Sequence, residues 1–194
     1  KTRSDVLQIL YQLYGSQNDY KMMIKCLERL ETLEGTNEQI SLSKMQLYEQ
    51  MGEKRKEYDE LKSLVDSHPL DLNYRVMFGN WLLQNGKKKE ALQKYREVLK
   101  EDPDNSLAKL SMMDYYNNIG DKATVKTILQ ELLQSPKTEK EAKLELLRQV
   151  ITSSQKDNTP DSTEVMRLFS VALAVPQEDA DIYMLKAAYM TLLI

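Results

Sequence analysis

The chain has 194 residues, of which 41% are hydrophobic and 29% charged, proportions typical of a globular protein. Its 27 basic and 30 acidic side chains give a net charge of −3 and are spread along the sequence, which leaves no basic patch for DNA or RNA. The longest uninterrupted apolar stretch, residues 171–175, is far shorter than the roughly 18 residues that cross a bilayer. Glycine and proline are too scarce for a turn-rich β protein, so we predict an all-α chain.

The sequence repeats itself with a period of about 34 residues. Two series of turn-forming residues and two series of apolar residues recur at this interval: Gly52, Gly86 and Gly120; Pro69 and Pro103; Tyr14, Tyr48, Leu82 and Tyr116; and Leu42, Val76, Leu110 and Leu144. Turn-forming and apolar residues that recur together at one interval are the signature of a repeat architecture.

Each repeat is predicted to fold into two antiparallel helices. A glycine roughly fifteen residues into the repeat can adopt the left-handed conformation that ends a helix, and a proline near the end of the repeat stops the second helix. Apolar residues recur every three or four positions between these breakers, which indicates one apolar face per helix. In chain order the predicted repeats are 4–37, 38–71, 72–105, 106–139 and 140–178, with a partial repeat at 179–194.

The fifth predicted repeat is longer than the others, and its extra length lies in the polar stretch 153–161. This stretch is typical of a longer loop between helices. The partial sixth repeat supplies a first helix without a second, whereas a solenoid needs a polar capping element at its end. We therefore expect the natural protein to continue, or another chain to cover Leu192 and Leu193.

Residues 85–105 resemble the second half of a tetratricopeptide repeat (TPR), with the small residue Ala91, the aromatic Tyr95 and a terminal Asp102-Pro103. The resemblance extends over essentially the whole chain. It implies one domain over residues 1–194, an all-α, right-handed solenoid of about 11 helices that binds proteins. The family's frequent early tryptophan is replaced here by Arg75.

The passage from Leu146 to Met184 is also similar to long repeat proteins of the cell envelope of gut-dwelling anaerobic bacteria. That second resemblance implies a location at the periplasmic face of the cell envelope.

In the TPR family, defined positions of each first helix face the concave groove of the superhelix. The residues that the resemblance assigns to partner binding are mostly amides and aliphatic residues: Gln12, Leu42, Gln46, Gln50, Asn73, Val76, Asn80, Leu83, Leu110, Asp114 and Asn117. The four residues at position nine of successive repeats, Gln12, Gln46, Asn80 and Asp114, are called the position-nine row below. An amide both donates and accepts hydrogen bonds, so this row could hold the backbone of an extended peptide.

One binding mode of the family is not expected. The carboxylate clamp that holds an acidic C-terminal tail requires Lys, Arg and Asn at fixed groove positions. The corresponding places here hold Gln8, Gln12, Ser43, Asn73 and Met77.

No motif for nucleotide, metal or acyl-transfer chemistry occurs in the sequence. One histidine and one cysteine cannot form a zinc cluster. His68 is expected in a solvated turn, and Cys26 is expected as a small buried hydrophobe on the second helix of its repeat. We therefore predict a non-catalytic chain without a cofactor that binds a protein or an extended peptide.

Two other roles agree with the same pattern. The chain could be a spacer or assembly subunit that uses its convex face or its C-terminal helix, with self-association through residues 179–194. It could also be the regulatory repeat segment of a larger protein. Substitutions in the groove would be silent in the first case, whereas changes to Leu192 or Leu193 would matter.

Overall fold

The computed structural model of the protein describes residues 2–35, 37–156, 162–176 and 180–192. Within these ranges the chain forms eleven α-helices and no β-strand. The helices are α1 (Arg3–Ser16), α2 (Tyr20–Glu34), α3 (Glu38–Gln50), α4 (Lys54–Ser67), α5 (Leu72–Gln84), α6 (Lys88–Glu101), α7 (Ser106–Ile119), α8 (Lys122–Gln134), α9 (Lys140–Lys156), α10 (Ser162–Leu173) and α11 (Asp181–Thr191). The predicted fold class, an all-α solenoid with about 11 helices, is confirmed.

The chain divides into two compact units, Lys1–Trp81 and Leu82–Ile194, with the boundary inside α5. In the first unit, α1 packs on α2, α2 on α3, and α3 on α4. An apolar core joins α1, α2 and α3 through side chains such as Leu7, Leu27 and Leu47. The assignment of residues 1–194 to a single domain stays a prediction.

In the second unit, α6 packs on α7 and α7 packs on α8, while α10 contacts α8, α9 and α11. Leu132, Leu147 and Phe169 have no exposed surface and lie at the centre of one continuous apolar cluster. Burial of this surface is the main favourable contribution to the folding of such helices, because short isolated helices are marginal in water.

The first helix of four repeats ends in the same hydrogen-bonded motif. In the fourth repeat, the N–H of Asp121 donates to the carbonyl of Tyr116 at 3.0 Å, and the N–H of Gly120 donates to the carbonyl of Asn117 at 3.1 Å. The same pair of bonds recurs at the equivalent positions of the first three repeats, with lengths of 2.9, 3.0 or 3.1 Å. This is the Schellman motif, which satisfies two of the carbonyls that a helix end leaves without partners.

The motif requires a left-handed residue, and the first repeat supplies an asparagine for it. The backbone angle φ is +55° at Asn18, compared with +69° at Gly52 and +79° at Gly120. Asn18 lies one period before Gly52, so it occupies the position that glycine holds in the later repeats. Asparagine tolerates this conformation better than most residues with a side chain.

The predicted loop of the fifth repeat begins later in the structure than the sequence indicates. Residues 153–156 belong to α9, which ends at Lys156, because polar residues without proline or glycine are compatible with a helix. Residues 157–161 of the predicted loop lie outside the described residues, as does Leu193. No described helix combines the length and the apolar character that a bilayer crossing needs.

Replacement of Gly120 by alanine tests the helix-ending motif. A Cβ atom at Gly120 would meet no atom within 4 Å, so the cost arises from the left-handed backbone alone. We expect Gly120→Ala to lower the free energy of unfolding by about 1 kcal/mol, a decrease in Tm of roughly 2–4 °C, and Gly120→Asn to lose less. Thermal unfolding followed by circular dichroism measures both changes.

The matched control is Gly15→Ala, which makes the same chemical change inside α1. There the new Cβ would lie 3.4 Å from the Met23 methyl group, and alanine is the better helix former. Equal destabilisation by Gly15→Ala and Gly120→Ala would contradict the role assigned to the left-handed residue.

Candidate functional site

The candidate binding residues lie on the first helices of the repeats and differ in exposure. Six are exposed: Gln12, Gln46, Gln50, Asn73, Asp114 and Asn117. Four are half-buried: Leu42, Asn80, Leu83 and Leu110. Only Val76, among the eleven predicted residues, is buried, with no exposed surface.

The position-nine row is the most consistently exposed part of the predicted site. Gln12 on α1 and Gln46 on α3 are exposed in the first unit, and Asp114 on α7 is exposed in the second unit. Asn80 is half-buried and is engaged in an interaction of its own. The same helices bury other positions in the cores of the two units, so the row lies on their open faces.

The aliphatic series Leu42, Val76, Leu110 and Leu144, which supplies three of the predicted binding residues, is half-buried or buried in the structure. Val76 has no exposed surface and Leu144 is 7% exposed, so neither can receive a side chain of a partner. Leu144 belongs to the core of the second unit, and Leu110 packs against that same core. Aliphatic side chains at this position stabilise the fold by burial, which a groove-facing aliphatic residue would not do.

Asp114 is the only charged member of the position-nine row, and its surroundings disfavour the charge. Asp114 is an exposed residue, yet the protein atoms around its carboxyl group desolvate it enough to raise its pKa. It also lies near the buried Tyr95, whose pKa is raised to about 12 by burial and then by the charge of Asp114. An amide at this position would avoid the desolvation of a carboxylate.

Buried lysines on the first helices are a feature that the sequence reasoning missed. Lys44 is 7% exposed and forms ion pairs with Glu31, at 3.1 Å, and with Glu60. In the second unit, Lys109 is 8% exposed, and its Nζ lies 2.9 Å from a carboxylate oxygen of Glu131. These pairs connect neighbouring helices and their lysines are buried, so we assign them to structure and not to partner binding.

The sequence period places basic residues at one position of three successive first helices. Arg75, Lys109 and Lys143 follow one another at intervals of one period, at the position where the resembled family often has tryptophan. Lys143 is 5% exposed, and desolvation lowers its pKa. The long aliphatic stems of these residues can fill the space between helices that an aromatic ring would otherwise fill.

A solvent-open cavity of about 320 Å³ lies in the second unit, lined by residues of α7, α8, α9 and α10. Its walls are mostly apolar and include Met113, Leu129 and Leu146. Asn117, one of the predicted groove residues, also lines it. We call it the second-unit cavity.

The remaining candidates for chemistry occupy ordinary structural positions. Cys26 is 4% exposed, and burial raises the pKa of its thiol, which reduces its reactivity. His68 is exposed at the end of α4, where its ring lies 5.3 Å from that of Tyr74. Among the described residues, no group of three or more acidic, histidine or cysteine side chains could hold a metal ion.

The helical architecture is similar to that of solved repeat proteins. A tetratricopeptide repeat protein from Parabacteroides merdae ATCC 43184 superposes with a TM-score of 0.57 and 13% identity, over 97% of this chain and 76% of that one. A thermophilic TPR protein of Thermus thermophilus superposes with a TM-score of 0.53 and 15% identity, over 98% and 100% of the two chains. The chain has the TPR fold. A structure of MamA gives a TM-score of 0.56 and 13% identity, over 93% of this chain and 98% of that one.

A scan against protein-family models and a search of the curated proteins both find no match to the sequence. The TPR likeness therefore rests on the structure and on the sequence period, and at these identities it concerns the fold alone.

Replacement of Asp114 by asparagine tests the electrostatics of the position-nine row. The carboxyl pKa is raised above its ordinary value of 3.8. The free energy of unfolding therefore falls as the pH rises above 3.8, and the full cost is present once the pH exceeds the folded-state pKa. We expect Asp114→Asn to raise the Tm at pH 7 and to leave it nearly unchanged at pH 3.

Thermal unfolding at the two pH values measures this difference. Asp59→Asn, at an exposed aspartate of α4, is the control for the loss of one negative charge. A gain for Asp114→Asn that is equal at both pH values, or that matches the control at pH 7, would contradict the desolvation of Asp114.

Proposed function

We propose that this chain is a non-catalytic scaffold that binds an extended segment of a partner protein along its first helices. The observation that carries the proposal is the repeated exposure of position nine on first helices whose other faces form the cores. In TPR proteins the first helices line the concave side of a superhelix, and stacked repeats use such concave surfaces for binding. The partner would lie in this concave groove.

The chemistry of the row favours the backbone of the partner over its side chains. Gln12 and Gln46 each offer a carbonyl oxygen and an NH₂ group, which match the N–H and C=O of an extended chain. Neither residue carries a charge, so recognition would not require an acidic or basic partner. Val76 and Leu144 are buried, so they do not form surface pockets that could select alternate side chains of the partner.

The proposal is tested with peptides selected from a random displayed library against the immobilised chain. We expect the double variant Gln12→Ala/Gln46→Ala to weaken their binding by about tenfold or more, because each lost hydrogen bond contributes about 0.5–1.5 kcal/mol. Both side chains are exposed, so helicity and Tm should stay unchanged. Isothermal titration calorimetry measures the affinities.

The matched control is Gln93→Ala/Gln134→Ala, which removes two exposed glutamines from the second helices α6 and α8. It should leave affinity unchanged. Equal affinities for both double variants and for the original chain would remove the first helices from the proposal.

The exposure of α11 supports a second candidate function, self-association through the C-terminal helix. Tyr183, Met184, Met190 and Leu192 are 53%, 66%, 48% and 67% exposed. Large apolar side chains clustered on one exposed helix are typical of an interaction surface. We expect the mass measured by light scattering to rise with protein concentration, and Met184→Glu/Leu192→Glu to abolish that rise. A monomer at every concentration would contradict self-association.

A further inference from the structure

The second-unit cavity is large enough to hold an aromatic ring. Its volume is about 320 Å³, roughly twice that of an engineered cavity of about 150 Å³ that binds benzene. Four helices contribute to its lining, with Met113 from α7, Leu129 from α8, Leu146 from α9 and Val165 from α10. An apolar body of one or two rings would fit such walls, and the Met113 thioether can contact an aromatic edge favourably.

One buried hydroxyl of the cavity lining lacks a hydrogen-bond partner. Ser154 is 8% exposed and lines the cavity, and its Oγ makes no hydrogen bond within the described residues. Thr152, on the same helix, and Ser170 show the usual alternative, because each donates to the carbonyl four residues earlier, at 2.9 and 3.1 Å. A buried hydroxyl without a partner is costly to keep, so a ligand that hydrogen-bonds to Ser154 would offset that cost.

The charges at the cavity do not favour an ionic ligand. Glu164 lines the cavity, but its carboxylate accepts from Arg167 Nε at 2.7 Å and lies 3.0 Å from Lys126 Nζ. The negative charge is thereby neutralised by two cations that are themselves occupied. A lysine or arginine would find no free carboxylate at Glu164, and an acidic group would find Lys126 and Arg167 already paired with that carboxylate. The ligand must therefore be uncharged.

We propose that the second-unit cavity binds an uncharged aromatic group that carries one hydroxyl or N–H, presented as a tyrosine or tryptophan side chain of the partner. Tyrosine and tryptophan combine a large apolar ring with one polar atom, as the walls and Ser154 require. The assignment to a partner side chain rests on the proposed function, because Asn117 belongs both to the predicted groove and to the cavity lining. The polar atom of the ring would hydrogen-bond to Ser154 Oγ.

Side-chain analogues test the cavity without knowledge of the partner. The probes are p-cresol and 3-methylindole, which represent tyrosine and tryptophan, and toluene, which has a ring without a polar atom. In a chain labelled with ¹³C at its methionine methyl groups, the Met113 resonance should move on addition of each probe, through the ring current. We expect p-cresol to bind about tenfold more tightly than toluene, the ratio that one hydrogen bond to a buried hydroxyl supplies.

Two pairs of variants test separately the hydrogen bond to Ser154 and the volume of the cavity. Ser154→Ala should weaken p-cresol binding to the level of toluene and leave toluene unchanged, whereas Ser170→Ala should alter neither. Val150→Phe should fill the cavity, which Val150 lines, and abolish binding of all probes. Val171→Phe is its control, because Val171 packs against the same core and is not among the lining residues. If Val150→Phe does not fold, the Ser154 pair alone decides.

The absence of a Met113 shift at millimolar probe, or equal effects of Ser154→Ala on p-cresol and toluene, would overturn the proposal. The blocked tripeptides acetyl-Gly-Tyr-Gly-amide and acetyl-Gly-Trp-Gly-amide test presentation by a chain. They should bind like the free probes; if the probes bind and the tripeptides do not, the partner side chain is rejected.

The outcomes for the cavity and for the position-nine row are separable. Gln12 and Gln46 lie in the first unit, so their substitution leaves probe binding in the second unit intact. Probe binding together with silent Gln12 and Gln46 variants would reject the proposed function alone, whereas groove-dependent peptide binding without probe binding would reject the cavity alone.

Discussion

The end of the first helix in the first four repeats is the constraint on which the rest of this structure depends. A left-handed residue at one position of the period allows two backbone hydrogen bonds to close the helix and turns the chain toward the second helix. These bonds measure between 2.9 and 3.1 Å in four repeats, although the side chains around the turns differ. The same two backbone hydrogen bonds therefore recur at the interval of the sequence repeat, and the buried apolar residues occupy fixed positions relative to them.

A fixed helix end also fixes which side chains of the first helix lie outside. With the end set by Asn18, Gly52 or Gly120, position nine is placed six residues before the left-handed residue, on the face away from the apolar contacts. Gln12, Gln46 and Asp114 are exposed for this reason. Side chains that point inward form the cores. Lys44 and Lys109 are buried beside carboxylates of neighbouring helices, whereas desolvation lowers the pKa of the buried Lys143.

Most of the fold could be predicted from the sequence, because glycine, proline and apolar residues carry the period in their identities. The left-handed conformation of Asn18 has a weak sequence signal, because asparagine occurs in many contexts and only its distance of one period from Gly52 indicates its role. The start of the predicted loop at 153 was wrong because polar residues without a breaker can remain helical. In each case the backbone conformation, and not the polarity of the side chain, decides the outcome.

The candidate site could be predicted less completely. Aliphatic residues of the groove and of the core are chemically alike and occupy nearby positions in the repeat. Val76 could therefore not be assigned to the core from the sequence. The second-unit cavity had no sequence signal, because it arises from the side-chain packing of four consecutive helices, α7 to α10, which the sequence period does not specify. The missing hydrogen bond of the Ser154 hydroxyl becomes informative only once that packing is known.

Hydrogen exchange of the chain, measured by mass spectrometry with and without a saturating selected peptide, tests most directly whether the first helices form the binding surface. The account predicts slower exchange in α1 and α3, and in α7 of the second unit, with little change in α2, α4 and α8. Protection confined to α11 or to the second helices would contradict it.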